Sequence, residues 1–164
     1  MNSIDKVNKL SKSDFISIFG NVFEKTEWIA ERCHDLKPYN NVDELFSKMI
    51  EIFEKAQKNE HLEILNAHPD LAVEKKLTKD SKNEQKNASL NQCTDEEFIE
   101  FKKLNEEYKK KFGFPFIVAV KGKNKEEILN SFRQRITNNI NLEFEEAKKQ
   151  VKKIASFRLN EIIK

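Results

Sequence analysis

Three glycines and three prolines in 164 residues constrain this chain more than any other feature. An all-β domain reverses direction often, and its tight turns draw on residues that tolerate unusual backbone angles. With so few of them the chain has to run in longer uninterrupted elements, which favours helices. The length suits one domain with a real core and is short for two. Thirteen phenylalanines against one tryptophan and two tyrosines leave that core filled mainly by Phe rings.

Apolar spacing places the elements. Ser13 caps a short helix carrying Phe15, Ile16 and Phe19, which Gly20 ends. A second short helix runs through Trp28, Ile29 and Arg32. After Asn41, residues Val42, Leu45, Phe46, Met49, Ile50 and Phe53 keep the helical period closely. Leu62, Ile64 and Leu65 lie on a following short helix, and Pro69 stops it near His68 because a pre-proline residue avoids the α region. Residues 72–81 are polar and read as a connection. Helix returns near Ser81, and again from Thr94, where Phe98, Phe101, Leu104, Tyr108 and Phe112 form a stripe that Gly113 stops. Two further helices carry Ile128, Leu129, Phe132 and Ile136, then Ala147, Val151, Ile154, Ala155, Leu159 and Ile162.

One stretch breaks the pattern. "FPFIVAV", 114–120, reads as extended, is flanked by Gly113 and Gly122, and has no partner strand. Its backbone N–H and C=O groups need partners from loops, water or a ligand. The expectation is an all-α, single-domain bundle over 1–164, of about eight helices with one short extended segment near 114–120.

Charge and cysteine usage exclude several classes. The 30 basic and 28 acidic residues are well mixed, whereas a nucleic-acid binder gathers its basic residues into a patch. Lys109, Lys110 and Lys111 follow Glu106 and Glu107 and read as a solvated helix face. No apolar run reaches the roughly eighteen residues of a membrane span. Residues 1–14 lack the apolar centre of a signal peptide, and Asn160–Lys164 is no peroxisomal address. Cys33 and Cys93 show neither metal-ligand spacing nor a disulfide framework, so the expected compartment is a reducing cytoplasm.

Three polar groups sit oddly. His68 follows an apolar run and precedes Pro69; it is either a helix-terminal histidine or a general acid–base group held at a site. Asp70 beside Pro69 is open to a plain capping role. Ser81 with Glu84 has the spacing of a capping box, and the same helix start offers N–H groups to an anionic or carbonyl-bearing ligand, with the Gln85 amide alongside. Arg158 falls on the apolar stripe of the last helix, where a guanidinium must snorkel, pair with a glutamate or meet an anion. Arg135 is a weaker case, beside Phe132 and Ile136 but able to reach solvent.

Together, "AHPDLA", "LTKDSKNEQ", "LNEEYKKKFGFPFIVAVKG" and "ILNSFRQRITNNINLEFEEAKKQVKKIASFRL" resemble the OHCU decarboxylase family (2-oxo-4-hydroxy-4-carboxy-5-ureidoimidazoline decarboxylase), with the blocks in family order from Phe15 to Ile163. The family commonly has glycine where this chain has Val73 and Ser89. The resemblance implies an all-α, usually dimeric enzyme that needs no metal or organic cofactor. It implies conversion of OHCU, formed from urate through 5-hydroxyisourate, to (S)-allantoin and CO2. Carried over by motif, His68 and Glu84 are the catalytic pair and Arg158 is an arginine at the pocket. Pro69, Ser81, Gln85 and the backbone of Phe116, Ile117, Val118, Ala119 and Val120 line the substrate site. Two other readings stay open: a non-catalytic helical interaction module, and the same fold acting on another ureide or purine-derived substrate.

Overall fold

In the computed structural model, residues 3–72, 78–88, 90 and 93–163 are described. Among them lie nine helices: α1 (Ile4–Asn8), α2 (Lys12–Phe19), α3 (Glu27–Asp35), α4 (Val42–Glu54), α5 (Lys58–Ala67), α6 (Lys79–Asn87), α7 (Asp95–Phe112), α8 (Lys125–Arg135) and α9 (Ile140–Ile163). No described residue is in a strand, so the all-α expectation holds, and the segment 114–120 runs outside any helix, with a bend at Phe114. The helix that periodicity misses is α1, whose five residues bury only Val7 and give too short a window to show a period. Residues 73–77 of the predicted connection lie outside the described residues, as do Val73 and Ser89. No described helix is long and apolar enough to cross a membrane.

The fold divides into two compact units. The first comprises Met1–Ala67 and Lys152–Lys164, the second His68–Val151, so α9 runs from the second into the first. In the first unit, Phe15 packs on Phe19 at 4.8 Å and Phe23 stacks on Phe53 at 5.1 Å. Asn8 clamps Tyr39 through two bonds of 2.8 Å, accepting from its N–H and donating to its C=O. The Tyr39 hydroxyl donates to the Cys33 carbonyl at 2.6 Å, and burial pushes the Cys33 thiol up to about 12. His61 is a core histidine, its Nε2 lying 2.6 Å from the Phe53 carbonyl oxygen.

Capping corrects the start of α2. Ser11, not Ser13, starts α2: its hydroxyl accepts from Asp14 N at 3.1 Å, which leaves Ser13 inside the helix. Gly20 follows α2 with φ −64, so it supplies no left-handed turn there. Its requirement is space, since a Cβ would lie 2.4 Å from the Ile16 carbonyl oxygen. Asn41 caps α4, accepting from Glu44 N at 2.8 Å. Thr94 and Glu97 close a full capping box on α7, and Gly113, at φ +80, ends that helix in the left-handed region.

The second unit is built on aromatic rings. Tyr108 meets Phe112 at 4.4 Å, Phe116 at 5.5 Å and Phe132 at 5.8 Å. Phe116 stacks almost parallel on Phe132, centroids 3.9 Å apart. Phe114 and Phe116, two residues apart, both reach the Tyr108 ring, Phe114 at 5.9 Å and Phe116 at 5.5 Å. Phe98, assigned by its spacing to the stripe, is 39% exposed. It sits in the first turn of α7, and the buried face begins at Phe101.

Phe132→Ala is expected to lower the unfolding free energy by about 3–5 kcal/mol, because the cavity would open beneath Phe116 and Tyr108. Phe98→Ala should stay within about 0.5 kcal/mol of the parent. Urea denaturation of the two variants checks both values.

Candidate active site

Helix α5 stops at Ala67, and His68 is the first residue outside it, only 8% exposed. Proline at 69 enforces that stop. Asp70, Leu71 and Ala72 then turn through the interior, with Ala72 at φ +55. A left-handed alanine costs on the order of 1 kcal/mol or more and persists only where its surroundings over-determine it. Here they do. Ala72 N–H donates to Gln85 Oε1 at 3.1 Å, and Gln85 Nε2 donates to the Asp70 carbonyl at 3.2 Å. One side-chain amide therefore brackets the turn.

Gln85 belongs to α6, a helix without a single apolar residue in "KDSKNEQKN". Its inward face is Ser81 and Gln85, both buried, with Glu84 half-buried beside them. A helix cannot dock such a face by the hydrophobic effect, so polar partners must hold it. Its start corrects the sequence reading. Thr78 is the N-cap, its hydroxyl accepting from Ser81 N at 3.2 Å, so Ser81 and Glu84 form no capping box. Thr78 supplies the same capping hydroxyl one turn earlier, and Asp80 suits the first turn. Ser81 therefore lies inside the first turn rather than at the cap, and it is buried.

The opposite wall is α7. Asn105 Nδ2 donates to the Leu71 carbonyl at 3.0 Å, and Lys109 Nζ reaches Asp70 Oδ2 at 2.7 Å. Tyr108, on the same face, carries the rings that seat Phe116. A single helix thus touches both the turn after His68 and the extended segment.

Residues Phe116 to Val120 are buried throughout. Side chains of α8 and α9 answer part of the backbone question raised by the sequence. Ile117 C=O accepts from Arg135 at 2.7 Å, and Ala119 N–H donates to Gln150 Oε1 at 2.9 Å. Among the described residues, no protein group meets the N–H or C=O of Val118. Arg135 also lies 4.4 Å over the Phe116 ring and pairs with buried Glu143 at 2.9 Å. The Tyr108 hydroxyl donates to the same carboxylate at 2.6 Å. Burial first, and that bond second, hold the Tyr108 hydroxyl far above its ordinary pKa.

Arg158 belongs to the first unit. Its guanidinium is buried, donating to Glu24 Oε2 at 2.7 Å and to the Asn21 carbonyl at 2.8 Å. The charge on the apolar stripe is thus balanced by an acid that the sequence reading overlooked. Glu24 follows Val22 and Phe23, both buried, and an acid in such company was the available signal. Asn105, Lys109 and Glu143 were also missed, being ordinary polar positions on long charged helices.

The sequence model of the family described as OHCU decarboxylase matches residues 8–160. The chain belongs to that family. Among its relatives, the 2-oxo-4-hydroxy-4-carboxy-5-ureidoimidazoline decarboxylase of Haloferax volcanii is 36% identical, over 97% of this chain and 95% of that protein. The uric acid degradation bifunctional protein of Bacillus sp. (strain TB-90) is 44% identical over the whole chain. Against that longer relative this OHCU decarboxylase family member spans 33% of the length. Its fold matches a crystal structure of (S)-allantoin synthase with a TM-score of 0.82 at 28% identity, covering all of this chain and 54% of the other.

Glu143→Gln would leave the buried Arg135 guanidinium without its counter-charge and is expected to cost about 3–5 kcal/mol of stability. Replacing both partners, by Arg135→Met with Glu143→Leu, should recover most of that loss, which a double-mutant cycle in urea measures.

Proposed function

We propose that the chain, acting as one catalytic domain over 1–164, is a carboxy-lyase that decarboxylates OHCU to (S)-allantoin and CO2 in urate degradation. Neither a metal nor an organic cofactor enters this scheme. The observation that carries it is the turn after His68, bracketed by Gln85 of a helix whose inward face is wholly polar. That is an expensive way to pack a structural helix and an economical way to line a site for a small polar ring.

In the reaction, the bond between C4 and its carboxylate breaks and CO2 leaves. The electron pair flows into the conjugated ring imine, whose nitrogen takes a proton, so the substrate supplies its own electron sink. His68 accepts the proton of the 4-hydroxyl as that carbon becomes a carbonyl, and a proton is delivered to C5 from one face. Glu84 orients the imidazole or crowds the departing carboxylate. Pro69, Ser81 and Gln85 line the ring, and the backbone of Phe116, Ile117, Val118, Ala119 and Val120 takes the ureido and ring amides. Buried Val118, whose N–H and C=O meet no protein group among the described residues, supports that last assignment. Arg158 binds the substrate carboxylate, a role that rests on the family resemblance. The same reading makes the protein a cytoplasmic homodimer.

His68→Asn should retain the helical circular dichroism of the parent and lose about 10²–10⁴-fold in kcat, the usual contribution of a general acid–base group. OHCU generated in situ from urate is the substrate for the measurement. Near-normal (S)-allantoin formation by that variant would remove His68 from the mechanism.

A further inference from the structure

The turn that follows His68 is held from two sides, and only one of them belongs to the groups assigned to the substrate. Gln85 brackets it from α6. From α7, Asn105 takes the Leu71 carbonyl and Lys109 takes the Asp70 carboxylate. Asn105 and Lys109 are four residues apart and so share one face of the helix.

Two features set this second clamp apart from ordinary packing. Asn105 is 3% exposed, and its Oδ1 is buried with no hydrogen-bond partner among the described residues. A buried amide satisfied at one end only is a poor stabilising device, and such groups gather where function requires them. The second feature is mechanical. Pro69 has a fixed φ, so few free backbone torsions separate the anchored Asp70 from His68.

We propose that Asn105 and Lys109 are positioning residues for His68, fixing the backbone of Asp70 and Leu71 and through it the direction of the imidazole. The activity readout of this proposal rests on the decarboxylase reading; the clamp itself does not.

Lys109 is half-exposed, so Lys109→Met should fold normally, and Asn105→Leu keeps the branching at Cγ while removing the amide donor. Both are compared with the parent and with Lys109→Arg in steady-state decarboxylation of OHCU, alongside thermal midpoints. The expected result is a kcat lowered about ten- to a hundredfold in the first two, as a small misplacement of a catalytic group produces. KM should stay within about twofold, the sign of an interaction that matters only in the transition state. The thermal midpoint of Lys109→Met should stay within about 3 °C. Lys109→Arg, which can renew the ion pair, should return kcat to within about threefold of the parent. A kcat within about twofold of the parent in both variants overturns the proposal, as does a loss that simply follows a fallen thermal midpoint.

A parent chain that does not convert OHCU would overturn the decarboxylase reading instead. The clamp is then decided by the ring nitrogen resonances of His68. One sharp set in the parent that broadens or splits in Lys109→Met supports it, and identical spectra overturn it.

Discussion

The two hydrogen bonds from the Gln85 amide to the turn at 70–72 are the constraint on which the rest of the site depends. Polar contacts of this kind have to hold α6, because it offers no apolar side chain to bury. They also hold Ala72 in a left-handed conformation that alanine would otherwise leave. Since Ser81, Glu84 and Gln85 share one side of a short helix, fixing one fixes all three. The turn and the helix therefore specify each other. His68, one proline away, takes its place from that agreement.

The extended segment is held by a different kind of chemistry. Its side chains are locked by rings, Phe116 between Tyr108 and Phe132, while its backbone is met by Arg135 and Gln150. Placing an arginine and a glutamate in such an interior rarely improves stability over apolar residues of equal volume. What the pair provides is direction: Arg135 reaches a carbonyl that no strand among the described residues serves. An irregular buried backbone held open in this way can present its remaining N–H and C=O groups to a small ring with several amides.

Much of this was legible beforehand, and the reasons for success and failure are physical. Helices α4 and α7 announced themselves through long amphipathic periods, and the structure adds caps at Asn41 and Thr94. The end of α5 followed from Pro69, and the extended run from its flanking glycines. The start of α6 was misplaced because two hydroxyls, Thr78 and Ser81, stand one turn apart, and the pattern Ser-x-x-Glu resembled a capping box more than Thr-x-x-Ser did. Clamping residues stayed hidden for another reason. Asn105 and Lys109 are distinguished by partners more than thirty residues away, and Glu143 by its burial, its pairing with Arg135 and its bond from Tyr108, none of which is visible in local spacing. His68, Glu84 and Arg158 were singled out by motif, and for Arg158 the structure supplied a partner in Glu24 that the sequence alone did not name.

Membership of the OHCU decarboxylase family and the polar site around the turn converge on one chemical claim, that this chain turns OHCU into a single enantiomer of allantoin. The most direct measurement generates OHCU from urate in the presence of the protein and follows the rate and optical rotation of the allantoin formed. The account predicts rapid formation of allantoin with the sign of the (S) enantiomer, in proportion to the protein added. Racemic allantoin appearing at the rate seen without protein would contradict it.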